Sequence, residues 1–90
     1  MKDFLSYIHS ELNRLSLSYK SSKKLSDDDV ELIKYIHGTV LFLQEYALYS
    51  KDKMLHGIAD DMEYSINHMR VPFKAEAALK DVEKNIKEYK

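Results

Sequence analysis

Residues that break helices are scarce in this 90-residue sequence. Only Gly38, Gly57 and Pro72 interrupt it, and elsewhere the apolar side chains recur three or four positions apart, which is the spacing of one helical face. Four such segments fit the chain, at about residues 2–17, 27–49, 51–70 and 73–89. The sequence therefore predicts an all-α fold, an antiparallel four-helix bundle formed as a single domain over residues 1–90.

Each segment has an apolar stripe that predicts its buried face. Glycine in the middle of the second segment costs about 1 kcal/mol relative to alanine, so we expect either a close neighbour at Gly38 or a bend. The serine- and lysine-rich stretch Ser16–Lys24 is typical of a linker. The stripes are Phe4, Leu5, Ile8, Leu12 and Leu15; Ile33, Ile36, Val40, Leu43 and Ala47; Met54 or Leu55, then Ile58, Met62, Ile66 and Met69; and Ala75, Leu79, Val82, Ile86 and Tyr89.

Helix boundaries are marked by capping residues and by the proline. Ser26 is a suitable cap, and the acidic run 27–29 complements the positive end of the second helix. Ser50 is expected to cap the third helix in the same way. Because proline disfavours the helical conformation of the residue before it, Pro72 predicts that the third helix ends near Arg70.

Composition excludes several classes of protein. The 14 basic and 15 acidic residues nearly cancel, which argues against a nucleic-acid partner. The chain has no cysteine, so it can form neither disulfides nor thiolate metal sites. The lack of disulfides is compatible with a reducing compartment. Charged residues interrupt Met1–Ser10, and the longest apolar run is Val40–Leu43. We therefore expect no signal peptide or membrane span, a cytoplasmic location, and membrane contact that is only peripheral and transient.

Catalytic chemistry is not indicated by any motif. His56, Asp60 and Glu63 follow at helical spacing and resemble half of a carboxylate–imidazole metal site, with His68 or Asp61 as a further ligand. A solvated face is the favoured explanation of these charged side chains, because charged residues are usually exposed. No serine lies in a Gly-x-Ser-x-Gly turn, and the two isolated glycines form no phosphate loop. We predict no catalytic residues, no metal, no cofactor and no enzyme activity.

Aromatic and basic side chains are better candidates for partner binding. Tyr35, Tyr46, Tyr49 and Tyr64 cannot all be buried without partners for their hydroxyl groups, and tyrosine is enriched at protein interfaces. The methionines at 54, 62 and 69 are adaptable enough to line a groove, although core packing is the commoner role at helical spacing. The lysines at 20, 23 and 24 indicate a solvated loop rather than a lipid anchor.

The connection between the third and fourth helices carries the predicted binding site. Apolar and basic groups alternate there on a short connector, where core packing alone does not require them. This partner-binding site comprises Tyr64, His68, Arg70, Val71, Phe73 and Lys74.

Over Lys53–Lys87 the pattern resembles the immunity proteins of pediocin-like (class IIa) bacteriocins of Gram-positive bacteria. The resemblance lies in the Met54-Leu55 opening, followed by Ile58, Met62 and Ile66; in the basic, aromatic turn 69–73, Met-Arg-Val-Pro-Phe; and in the helix bearing Leu79, Val82 and Ile86. The first two helices match the family in length and order.

The resemblance implies a small cytoplasmic four-helix bundle that protects its producer. Such a protein recognises the membrane sugar-transporter receptor once the bacteriocin has engaged it, and blocks the pore from the cytoplasmic side; specificity is associated with the C-terminal half. Residue patterns also allow a second class, a small homodimeric helical adaptor or phage-type regulator that binds another protein. An enzyme with a metal site on a helix ranks last.

Overall fold

Four helices run in alternate directions in the computed structural model, which describes residues 1–89. They are α1 (Lys2–Ser22), α2 (Asp27–Ser50), α3 (Lys53–Asn67) and α4 (Pro72–Glu88). At 1.5 Å per residue the longest helix spans about 36 Å, close to the 39 Å long dimension of the molecule. The helices therefore lie along one axis, and the predicted all-α bundle is confirmed.

Side-chain contacts establish the antiparallel order. On α1, Lys2 donates to the carbonyl of Lys87 at 3.3 Å, and His9 lies 3.0 Å from the carbonyl of Leu79. Between α2 and α3, Gln44 donates to both Asp60 and Glu63 at 3.0 Å. The α3 helix packs along both α2 and α4, whereas α1 packs mainly along α4 and touches α2 only slightly. The α3 helix is thus the centre of the bundle.

Several helix boundaries differ from the prediction. The α1 helix continues through most of the expected linker to Ser22, because Ser16 is fully buried in the bundle and Lys20 forms a 3.0 Å ion pair with Glu76 on α4. It ends where Lys23 adopts a left-handed conformation, with φ of 60°. The α3 helix ends at Asn67 rather than Arg70, and α4 begins at the proline itself, whose fixed φ suits the first helical position.

The apolar stripes form the core, with three exceptions. Phe4 is exposed, whereas the adjacent Leu5 is buried, so the α1 stripe is centred one residue later than predicted. Ile33 and Tyr89 are only partly buried against the core. On α3, Leu55 rather than Met54 faces inward, while Met62 and Met69 fill the core. The expected close neighbour is absent at Gly38: apart from the nearby backbone of α2 itself, no heavy atom of the described chain lies within 4 Å of a Cβ built there, and α2 continues through this position.

Asp52, not Ser50, caps α3. Its carboxylate accepts from the backbone N–H of Leu55 at 3.0 Å and from the hydroxyl of Tyr89 at 2.7 Å. The Leu55 N–H and then the Tyr89 hydroxyl lower the pKa of Asp52, and the same contact raises the pKa of Tyr89 to about 12. Ser50 instead donates to the carbonyl of Tyr46. These two hydrogen bonds link the start of α3 to the end of α4.

Replacing Asp52 tests how much this link contributes to stability. We expect Asp52→Ala to lower the free energy of unfolding by about 1–2 kcal/mol through loss of the cap, measured by urea denaturation. Because its folded pKa is depressed, the charge contributes stability above the ordinary value of 3.8, and this contribution is lost as pH falls through the lowered pKa. Asp52→Asn keeps a capping oxygen, so it should lower the free energy of unfolding by less than Asp52→Ala. Because asparagine does not titrate, it should also make stability depend less on pH in the acid range. Equal loss in both variants would contradict this account.

Candidate functional site

The turn between α3 and α4 is a short, hydrogen-bonded connector. Its shape follows from Pro72, which keeps Val71 out of the helical conformation, at φ of −124° and ψ of 80°. The N–H of Val71 donates to the carbonyl of His68 at 2.9 Å, and the carbonyl of Val71 accepts from Lys74 at 2.9 Å. Met69 is buried beneath the turn. The connector is therefore anchored from below and displays its remaining side chains outward.

All six residues predicted to bind a partner lie at this end of the bundle. Phe73 is 71% exposed and Tyr64 43% exposed, and Arg70 and Lys74 are also exposed. The rings of Tyr64 and His68 stack with centroids 4.0 Å apart, and Nδ1 of His68 lies 2.9 Å from the Tyr64 carbonyl. We call this set the turn site: Tyr64, His68, Arg70, Val71, Phe73 and Lys74.

The turn site separates two concavities rather than lining one. His68, Arg70 and Val71 border a concavity of about 250 Å³ on the α2 side. Tyr64, Phe73 and Lys74 border another of about 450 Å³ between α3 and α4. The stacked Tyr64 and His68 rings stand between the two. An apolar group inserted on either side would contact an exposed ring or aliphatic side chain together with a basic group.

Three residues that sequence reasoning did not assign to the site complete the first concavity. Leu25, Val30 and Ile33 come from the α1–α2 connection and the start of α2. They meet the α3–α4 turn because the antiparallel order brings both connections to the same end of the molecule. Ile33 belongs to the apolar stripe predicted for α2, and its partial burial in the structure shows that this stripe continues onto the surface here.

The charge at this end is mixed, and several of its basic side chains form no ion pair within residues 1–89. In the part of the chain that the structure describes, neither Arg70 nor Lys74 forms an ion pair. Nearby, Lys20 is paired with Glu76, and the exposed Lys23 and Lys24 close the α1–α2 connection. An anionic or hydrogen-bond-accepting partner therefore finds unpaired donors next to exposed apolar rings.

Asp61 is an unfavourable charge at the edge of the second concavity. Burial raises its pKa first, and the carboxylates of Asp81 and Asp60 raise it further. Asp61 and Asp81 both line this concavity, which also contains Lys74 and Phe73. A carboxylate that is held against like charges destabilises the folded chain when it is ionised. The second concavity therefore has a negatively charged rim, and a cationic group of a partner would reduce the repulsion between its carboxylates.

Removing this charge should stabilise the protein. We expect Asp61→Asn to raise the free energy of unfolding by about 0.5 kcal/mol at neutral pH. The gain should vanish as pH falls through the raised pKa, because the wild-type carboxyl is then neutral as well. Thermal unfolding at several pH values measures both effects. Asp60→Asn is the comparison variant: Asp60 repels Asp61, but it also accepts from Gln44 at 3.0 Å and contacts His56 at 3.2 Å, so its substitution should stabilise less.

The residues considered for a metal site lie instead in a polar seam between α2 and α3. Nδ1 of His56 lies 3.2 Å from the carboxylate of Asp60. The carboxylate of Glu63 instead accepts from the Gln44 amide at 3.0 Å and lies 3.4 Å from Nε2 of His37. The Gln44 amide and then His37 lower the pKa of Glu63. Within residues 1–89, no three histidine, aspartate or glutamate side chains are grouped to hold a metal ion. The seam fixes the register of the two helices.

Comparisons with protein-family models, with curated proteins and with solved structures found no match to this chain. Among residues 1–89, no helix has the length and apolar character needed to cross a membrane.

Proposed function

We propose that this chain is a bacteriocin immunity protein, which protects its producer by binding a bacteriocin-engaged membrane receptor from the cytoplasmic side, without catalysis. The observation that carries the proposal is the turn site, where Phe73 is 71% exposed beside Arg70 and Lys74, which form no ion pair within residues 1–89. Exposed aromatic and arginine side chains are the types that dominate binding energy at protein interfaces. The resemblance over Lys53–Lys87 points to the same half of the chain.

The charges at this end suit a partner at a membrane surface. Lys23, Lys24, Arg70 and Lys74 lie at the end that carries both the α1–α2 and the α3–α4 connections, and each basic side chain near an anionic bilayer contributes about 1 kcal/mol. The acidic run 27–29 beside them offsets part of this attraction. The bilayer thus attracts the protein weakly and reversibly, while the receptor supplies the specific contacts to the apolar concavities.

A growth-protection assay tests the proposal. The chain is expressed in a sensitive Gram-positive strain, which is then challenged with a broad panel of pediocin-like bacteriocins, with empty vector as the control. We expect survival against a subset of the panel, because immunity requires recognition of a particular bacteriocin–receptor pair. Uniform killing, with folded protein confirmed in the cells, would overturn the proposal.

A helical adaptor that binds another protein is the second candidate function. It is favoured by the exposed aromatic side chains of α2, Tyr35, Phe42 and Tyr49, which lie outside the turn site. An adaptor would use this helix surface and would give no protection in the growth assay.

A further inference from the structure

A row of aromatic side chains runs along the outer face of α2. Its members are spaced seven, four and three residues apart, which places them on one side of a helix. The buried residues Ile36, Val40 and Leu43 face away from this row, toward the core. We call it the α2 aromatic stripe: Tyr35 (72% exposed), Phe42 (67%), Tyr46 (45%) and Tyr49 (87%).

The exposed area of the stripe is large for a chain of this size. Taking about 200 Å² for each aromatic side chain, the exposed fractions sum to roughly 500 Å² on one copy. A contiguous patch of this area is at the upper end of what monomeric proteins leave in contact with water. Two such stripes in contact would bury about 1,000 Å², and the flanking polar side chains would bring the total to that of a specific interface.

Gly38 lies beside the stripe, one helical turn before Phe42. No side chain or other helix of the described chain lies within 4 Å of a Cβ built on it, so close packing within one molecule does not account for a glycine here. If two α2 helices pair antiparallel about Phe42, residues four before and four after it face each other. The ring of Tyr46 of the second copy then packs on Gly38, and Tyr35 of one copy faces Tyr49 of the other.

Charges at the two ends of α2 favour this direction of pairing. The exposed Asp28 and Glu31 share the face of the stripe at its N-terminal end. The exposed Lys51 and Lys53 lie at the other end of the helix. In the antiparallel arrangement, the acidic end of one α2 lies beside Lys51, at the end of α2, and Lys53, at the start of α3, of the second copy. A parallel arrangement would oppose like charges at both ends.

We propose that two copies of this chain associate antiparallel through the α2 aromatic stripe, with a two-fold axis near Phe42, Gly38 covered by Tyr46 of the second copy, and the acidic end of each α2 beside Lys51 and Lys53 of the other copy. The proposal does not depend on the immunity function, since the stripe lies on α2 and the turn site does not include it.

Sedimentation equilibrium over a range of concentrations tests the association. We expect a monomer–dimer equilibrium, weakened at least about tenfold by Phe42→Glu. Leu17→Glu is the matched control, since Leu17 is a half-exposed apolar residue on α1, beside α4; it should leave the equilibrium unchanged. A chain that stays monomeric at its highest attainable concentration would overturn the proposal, as would equal weakening by both variants.

A charge exchange and a cross-link then test the orientation. Glu31→Lys and Lys53→Glu should each weaken association, and the variant with both changes should recover it. The chain has no native cysteine, so Tyr35→Cys and Tyr49→Cys can be mixed and oxidised. Antiparallel pairing gives predominantly the mixed disulfide dimer. Predominance of the two unmixed dimers, or failure of the double charge variant to recover, would contradict the arrangement.

Discussion

Replacing Leu55 with alanine should lower the free energy of unfolding by about 2–5 kcal/mol. Leu55 is fully buried and lies on α3, the helix at the centre of the bundle, so the cavity would be walled by several helices and could not collapse easily. The total free energy of unfolding of a small domain is only about 5–15 kcal/mol. Urea denaturation followed by circular dichroism measures the change, with the denaturant slope checked for two-state behaviour.

Met54→Ala is the matched control for this experiment. Met54 precedes Leu55 in the chain but is 41% exposed, so its truncation should change stability by no more than about 0.5 kcal/mol. The comparison is sharp because the apolar pattern alone allowed either residue to face the core. Similar losses in both variants would contradict the orientation of α3.

The helices and most of the core follow from apolar spacing, because burial in a bundle repeats with the period of the helix. The pattern is less informative where several apolar residues are adjacent. Phe4 and Leu5 both fit the α1 stripe, and only packing against α4 decides that Leu5 is buried and Phe4 exposed. In the same way, burial of Ser16 and the ion pair of Lys20 extend α1 through residues whose local preference is for a loop.

The turn site was predictable in sequence for a simple reason: its six residues lie within 64–74, so chain connectivity alone places them together. The parts that the sequence did not reveal are contributed by other elements. Leu25 and Val30 reach the first concavity through the meeting of two connections, and the raised pKa of Asp61 depends on Asp81 in the next helix. Contacts between helices of this kind have no signature in a single sequence. That the six residues bind a partner stays a prediction.

The α3–α4 turn should be separable from the fold by mutation. We expect the double variant Arg70→Ala, Phe73→Ala to protect cells at least about tenfold less well against the bacteriocin that wild type resists, because exposed arginine and aromatic side chains commonly dominate binding energy. The fold should persist: Phe73 is 71% exposed, and Arg70 has no ion pair among the described residues. The readouts are the inhibitory bacteriocin concentration and the thermal unfolding midpoint.

A double variant at the other end of the bundle controls for general loss of surface side chains. Tyr7→Ala, Lys84→Ala also removes one exposed aromatic ring and one exposed cation, near the end where Lys2 contacts Lys87. It should protect as well as wild type. If the turn variant is folded and protects fully, the turn site is not the receptor-binding surface. If both variants lose protection equally, the effect is not specific to the turn, and the exposed ring and cations at Arg70, Phe73 and Lys74 lose their assigned role.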